Sequence, residues 1–400
     1  MRYYCLATRN RRTTVGARFS KWTRFKMGNH AVVFGSHKPL VPYCHWYGNV
    51  YGCSYPNYYG PRESLRGLAA DLSHKSPLSV CNVKSYRKAP ESFRRLFRRT
   101  GRSTPAGVAP KVIALTATRN EDWVLGLSLR VSLSYCDAVV ITDHGSTDRT
   151  AQIIREAQAE FPDRQISIRR TDDQEWMEMD VRQEMLDRGR QLGGTHFVIV
   201  DADEVPTGNL FPDLRKLALK PTRGCFVSLP MIATYHAPNV FRWDGPWGDT
   251  NQIPWAFGDS AALRWKVSDA YQLHRRTPYK AVNDGLMFAG KNFGGLFHLQ
   301  FVSKSRLQSK AVWYKMIETL RYPGKRSPAD LNQIYDWTLH EDGDPQIYDV
   351  PDSWWAPYRQ KGWLQHFTPE AVSWQHHEVR KLAAEHGLDI FSGLNLHGIV

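Results

Sequence analysis

From Lys111 onward the chain alternates short apolar runs with amphipathic stretches. KVIALTA (111–117) is a β-type run, and EDWVLGLSLRVSLSY (121–135) follows with helical spacing. DAVVITD (137–143) is a second apolar run. TDRTAQIIREAQAEF (147–161) is a second helix, with Ser146 or Thr147 as its expected N-cap. QISIRR (165–170) is a third strand, and MEMDVRQEMLDRGRQLG (177–193) a third helix stopped by Gly193-Gly194. HFVIVDAD (196–203) is a fourth strand. Strands separated by helices predict an α/β fold, with a doubly wound, mostly parallel sheet flanked by helices. Such sheets bind ligands at the carboxyl ends of their strands.

Further on, FVSKSRLQSKAVWYKMIETLRYPG (301–324) predicts a helix ending at Pro323-Gly324, with basic residues on one face. That face could lie near a phosphate, but a solvated helix is the expectation. TPEAVSWQHHEVRKLAAEHG (368–387) predicts another helix, started at Thr368 and stopped by Gly387. Ten of the fourteen tryptophans fall at 243 or later, four of them in 240–266. Pro, Gly and Trp at that density suggest ordered loops over a site. Trp243, Trp247 and Trp255 are candidates to present flat faces to a sugar, with packing as the plainer alternative.

Charge separates the first quarter from the rest. The net charge is +14, yet residues 1–110 hold 20 of the 53 Lys+Arg and only 3 of the 39 Asp+Glu. That segment is basic, rich in Tyr, Arg, Ser and Gly, and weakly periodic, and is expected to be a poorly structured extension. Three explanations stay open: a solvated extension, an over-long gene start with the true one at Val108, and an arm that contacts nucleic acid or another anionic surface. Residues 111–400 then form the ordered part, with 111–205 as a first half and 206–400 as a second. The six cysteines show no CxxC; Cys44, His45 and Cys53 are poorly spaced for zinc, and free thiols in a reducing compartment are expected. No apolar run is long enough to span a membrane, and the basic N-terminus has no apolar segment, which points to a cytoplasmic protein.

The expected strand ends read Thr116-Ala117-Thr118-Arg119-Asn120, Asp143-His144-Gly145-Ser146 and Asp201-Ala202-Asp203-Glu204. All are polar and two are acidic. Three carboxylates at the end of an apolar strand repel one another and lose solvation, so a cation belongs beside them. Residues two apart in a strand can face the same way, so Asp201 and Asp203 can approach one Mg²⁺ or Mn²⁺ ion.

ALTATRNEDWVL, VVITDHGSTDRT and DVRQEMLDRGRQLGGTHFVIVDADE, in that order, resemble the family 2-like glycosyltransferases with a GT-A fold. The resemblance covers about 111–205 well and continues more loosely to about 320. It implies transfer of a sugar from a nucleotide-diphosphate sugar to a carbohydrate, lipid-linked or protein acceptor. Asp201 and Asp203 match the family's D-x-D motif, Ala202 lies between them, and His298 in GGLFHLQF matches a further metal ligand, although a structural histidine there is the alternative. Thr116, Ala117, Arg119, Asn120 and Asp143 match the nucleotide pocket, and Arg182 a basic residue facing the nucleotide. Turn and cap chemistry competes with ligand contact at Asp143 and is favoured at Asp148. An inverting enzyme also needs a general base on the acceptor; Asp284, Asp259 and Asp249 are candidates, with Asp284 preferred. Where the family has His-Glu, this chain has His274-Arg275, which together with Arg276 could meet phosphate. Two other functions remain: a nucleotidyltransferase, disfavoured because TATRNED has no glycine, and a nucleic-acid binder acting through its basic arm.

Overall fold

The computed structural model describes residues 109–172, 177–266, 276–284, 287–339 and 344–400, with the backbones of four short strands before them. Those four are β1 (Thr23–Met27), β2 (His30–Phe34), β3 (His45–Tyr47) and β4 (Val50–Gly52). β1 pairs with β2 and β3 with β4, both antiparallel. Apart from these strands, the expected N-terminal arm lies outside the described residues.

From β5 (Val112–Thr118) the expected alternation holds. It runs through α1 (Leu125–Tyr135), β6 (Ala138–His144), α2 (Thr150–Glu160), β7 (Gln165–Thr171), α3 (Glu178–Gln191) and β8 (His196–Ile199). β5 pairs in parallel with β6 on one side and β8 on the other, and β7 continues beyond β6. The period-2 pattern decides the two core faces. Val112 and Ala114 point into one cluster with Leu125, Leu129 and Ile153, while Ile113 and Leu115 point into another with Met185 and Leu186 of α3. Helices therefore cover both faces. Beneath α3, a methyl on Gly189 would meet the Phe197 ring at 2.5 Å, so only glycine lets this helix lie so close to β8.

Caps differ from expectation in two places. α2 starts at Thr150, and the Asp148 carboxylate accepts from its backbone N–H at 2.9 Å, so neither Ser146 nor Thr147 caps it. The last long helix, α8, spans Trp374–His386 and is capped by Ser373 rather than Thr368. Thr368 instead opens a turn, its carbonyl accepting from Ala371.

The second half adds strands that the sequence pattern did not predict: β9 (Glu204–Pro206), β10 (Cys225–Ala233), β11 (Val240–Arg242), β12 (Gln252–Gly258), β13 (Val282–Asn283), β14 (Met287–Ala289), β15 (Leu296–His298) and β16 (Ile347–Asp349). The central sheet runs β7-β6-β5-β8-β12-β10-β15-β9, with β13 alongside β10. β12 is antiparallel to β8 and β10, which leaves β10 and β15 running in the direction of β8. β14 pairs with β2, and β11 with β16.

The helices after β9 are α4 (Leu214–Ala218), α5 (Lys304–Arg321), α6 (Pro328–Asp336) and α7 (Asp352–Gln360). α5, α6, α8 and the C-terminal residues share a third cluster around Val312, Met316, Leu331, Val379 and Phe391. Cys136 and Cys225 are free, and Cys136 is buried. Among the described residues no helix is long and apolar enough to cross a membrane.

Candidate active site

The acidic run begins two residues after β8, and strand pairing downstream sets its geometry. Glu204 opens β9, which pairs antiparallel with β15 in the register His298↔Glu204. The Leu299 N–H donates to the Asp203 carbonyl at 2.8 Å. Asp203 is thereby fixed beside the end of β15, and the His298 Nε2 lies 3.6 Å from its Oδ2. A residue 95 positions later is thus brought to the acidic turn by strand pairing alone. Gly295 permits it, since a methyl there would run into the Pro230 carbonyl of the neighbouring strand.

The three carboxylates do not share one environment. Glu204 has no accessible surface and takes two hydrogen bonds from Arg276, at 2.7 and 2.6 Å. Its Oε2 also accepts from the Asp201 N–H at 3.0 Å, which closes the turn. Asp201 lies between two buried guanidiniums: Arg182 is 3.2 Å from its Oδ1, and Arg276 is 3.2 Å from its Oδ2. Arg182 is also held by Glu178 at 2.7 Å, one helical turn back on α3. Burial alone would lower the Arg182 guanidinium, but Asp201 and Glu178 reverse the shift and raise it. So Arg182, expected to face a nucleotide, instead buttresses the acidic turn from below. Arg276, expected to meet phosphate, does the same from the side. His274 and Arg275 lie outside the described residues.

Asp203 differs: its neighbours are the His298 imidazole at 3.6 Å and the Lys310 ammonium at 3.8 Å. Burial pushes the Asp203 carboxyl up, yet His298 and Lys310 outweigh it and the net shift is down. Lys310 comes from α5, and Arg306 of the same helix is buried against the Trp123 ring at 3.9 Å. The basic face of this helix, expected to be solvated, turns inward toward the strand ends. Glu121, just past β5, completes the cluster. Its Oε2 accepts from the Trp123 Nε1 at 2.6 Å. Burial, then the charge of Asp203, pushes its carboxyl up to about 7 against the opposing pull of Lys310 and Arg306. Glu121, Arg306 and Lys310 were missed as site residues. The only signal for the last two was their spacing of four on one helix face.

The expected nucleotide side is formed by the ends of β5 and β6, which lie next to each other with Thr118 opposite Asp143. Thr116 is buried and Ala117 half-buried within β5. Asn120 takes a left-handed backbone, φ +52, and its Oδ1 accepts from the Thr147 N–H at 2.7 Å. Asp143 is buried; one oxygen accepts from Ser146 at 3.0 Å and the other lies 3.5 Å from Arg170. Arg119 lies over the Trp374 ring at 4.9 Å. Its Nε and the Thr118 hydroxyl are buried without a hydrogen-bond partner. Ala202 is buried inside the acidic turn.

The expected acceptor residues and bases separate. Trp255 belongs to β12, has no exposed surface and packs on Tyr135 at 6.0 Å, so it has no face to offer a sugar. Trp243 is buried edge-on against Phe241. Trp247 is also buried, stacked on Trp337 at 5.2 Å, but it borders a small crevice with Tyr235, His236, Arg242 and Phe301. The 240–266 segment thus combines β11 and β12 with the intervening loop that carries Trp247 and Asp249. Asp259 pairs with Arg190 at 2.8 Å, and its N–H donates to the Thr195 carbonyl at the far end of β8 from Asp201. Asp284 is exposed at that same far end, its N–H donating to Phe226. Asp249 alone of the three lies at the edge that holds the acidic turn, where its Oδ1 accepts from the Gly290 N–H at 2.6 Å.

The donor set at Asp203 suits a hard divalent cation. A carboxylate and an imidazole supply two protein ligands, which leaves room for phosphate oxygens and water, as Mg²⁺ and Mn²⁺ sites favour. Asp201 does not fit that role, because both its oxygens face guanidiniums. Among the described residues no group of three or more His, Cys, Asp or Glu side chains could hold a metal ion.

No protein-family model matches the sequence, and no curated protein matches it. Solved structures that resemble it include a mannosyltransferase from Pyrobaculum calidifontis in complex with GDP-Man and Mn²⁺, at 15% identity over 74% of this chain and 83% of that one, with a TM-score of 0.29. TarS of S. aureus in complex with UDP is 12% identical over 72% and 86%, with a TM-score of 0.30. A 4-diphosphocytidyl-2C-methyl-D-erythritol synthase is 13% identical over 38% and 76%, with a TM-score of 0.24.

Proposed function

We propose that the chain is a glycosyltransferase that moves a sugar from a nucleotide-diphosphate sugar to an acceptor hydroxyl, using Mn²⁺ or Mg²⁺ held by Asp203 and His298. The supporting observation is the meeting of these two residues, from β15 and from the turn after β8, at the strand edge that also carries the ends of β5 and β6. Open sheets place ligands at such an edge. When bound, the ion offsets negative charge on the diphosphate as the glycosidic bond breaks.

The residues divide the work. Arg182 and Arg276 hold Asp201 and Glu204 in place through buried ion pairs. The Thr118 hydroxyl and the Arg119 Nε are unmatched polar groups beside the expected nucleotide pocket, where a ligand can satisfy them. Asn120 and Asp143 fix the two loops that border that pocket. Asp249 is the candidate base, since it lies at the same edge as Asp203. Trp247 and the crevice beside it form the acceptor side.

Release of nucleoside diphosphate from UDP-, GDP-, ADP- and dTDP-sugars by the full chain tests this. Turnover is expected with one nucleotide class in the presence of Mn²⁺ or Mg²⁺. Asp203→Asn is expected to lower it about a hundredfold or more, as losses of charge-stabilising groups do. Turnover unaffected by that change would exclude the assignment.

A further inference from the structure

Arg306 is a buried cation that makes no ion pair among the described residues. It is 8% exposed, stacked on Trp123, and its one hydrogen bond among the described residues is a long 3.4 Å contact to the Pro369 carbonyl. Among the described residues no carboxylate lies within 4.0 Å of it. Burial lowers its pKa, against the pull of Glu121, Asp122 and Asp203. A desolvated guanidinium in this state is costly unless an anion joins it.

One turn along α5, the Lys310 ammonium is 2.8 Å from the Gln300 Oε1 and 3.8 Å from Asp203. Gln300 is 5% exposed, and its Nε2 is buried with no partner. That free N–H donor and Lys310 line one small crevice with Leu307, Tyr314 and Thr338. Arg306 and Lys310 thus lie one turn apart near Asp203 and Glu121, with an unmatched donor next to Lys310.

We propose that Arg306 and Lys310 form a seat for the diphosphate of the nucleotide beside Asp203 and His298. This rests on the glycosyltransferase assignment. The planar guanidinium can bond two phosphate oxygens at once, and the ammonium acts as a point charge. In transfer, the bond between the anomeric carbon and the phosphate oxygen breaks, and its electron pair stays on that oxygen. The acceptor oxygen forms the new bond and gives its proton to the base. A phosphate monoester group carries about −1.5 to −2 at neutral pH, and preorganised cations stabilise such charge as it develops. Without ligand, Lys310 partly neutralises Asp203; with ligand, it has a phosphate to meet.

The test is calorimetric titration of the full chain with inorganic pyrophosphate, UDP and GDP, with Mn²⁺ present. Wild type is compared with Lys310→Met, Arg306→Gln and Arg306→Lys. Loss of one charge-assisted hydrogen bond should weaken binding about tenfold or more. Lys310→Met and Arg306→Gln are each expected to show that loss for pyrophosphate and for the bound nucleotide, and Arg306→Lys to recover part of it. Should Arg306→Gln fail to fold by circular dichroism, Lys310→Met carries the decision. Wild-type affinity in Lys310→Met would overturn the seat and leave the glycosyltransferase assignment standing. A wild-type chain that binds none of the three ligands would overturn both.

Discussion

At the scale of single residues, the acidic turn is held by cations of two kinds. Arg182 and Arg276 are buried and bonded to carboxylates, and so are structural in effect. Removing one partner of a buried ion pair leaves the other uncompensated, at a cost of about 3–5 kcal/mol. Arg276→Met is therefore expected to lower unfolding stability by that amount in urea denaturation, because Glu204 has no access to water. Stability equal to wild type would show that Glu204 finds another partner.

Glu121 gives a pH signature with a definite sign. Its carboxyl is raised to about 7 by burial and by Asp203, above its ordinary value of 4.5. The folded chain then binds a proton more tightly than the unfolded one. The contribution of Glu121 favours folding in acid and becomes a cost as pH rises from about 4.5 to about 7. Glu121→Gln should raise the melting temperature at pH 8 and change it little at pH 5. An equal change at both pH values would rule out a raised Glu121.

At the scale of elements, β15 does the positioning. His298 reaches Asp203 only because β15 pairs with β9 and lies close against β10. Gly295 allows that approach, so Gly295→Ala should displace β15. The expected outcome is lower thermal stability together with a His298 NMR signal that no longer responds to Mn²⁺. An unchanged His298 response would show that β15 tolerates the methyl. β12 makes the complementary point. Trp255→Ala should cost about 3–5 kcal/mol, as emptied core sites do, and leave donor affinity unchanged in the folded fraction.

Elements also show what was legible in the sequence. The β-α alternation from 112 to 199 could be read from periodicity, because parallel strands covered on both faces are continuous apolar runs bounded by helices. β10 and β12 were harder. Pro230 interrupts CFVSLPMIA, and β12, QIPWAFG, carries Pro254 inside a Trp-rich stretch that resembles ordered loop. Asp203 and His298 could be named from motif resemblance. Their distance, and the fact that Arg182 and Arg276 occupy Asp201, depend on pairings between residues some 20 to 95 positions apart. No local pattern encodes such pairings. The inward turn of Arg306 and Lys310 was hidden for the same reason. A basic helix face looks solvated until the strand ends it covers are known.

At the scale of the whole molecule, the first half supplies the parallel strands and their loops, while the second supplies His298, Lys310 and the crevice beside Trp247. Neither half contains the proposed site alone. Along the sequence the positive charge is concentrated in residues 1–110, and the remainder of the chain is slightly acidic. Donor binding should accordingly weaken only modestly as salt rises from 50 to 200 mM, because partly buried charges are screened little. A steep loss in a filter or calorimetric assay would instead point to the basic segment.

The most direct test is the thermal stability of the full chain with UDP-, GDP-, ADP- and dTDP-sugars, each with and without Mn²⁺, beside Asp203→Asn. A ligand at a hundred times its Kd stabilises the folded state by about 2.7 kcal/mol. Expected is a rise in melting temperature with one nucleotide class, dependent on Mn²⁺ and absent in Asp203→Asn. No rise with any donor, or an equal rise in Asp203→Asn, would contradict a nucleotide-sugar site at Asp203.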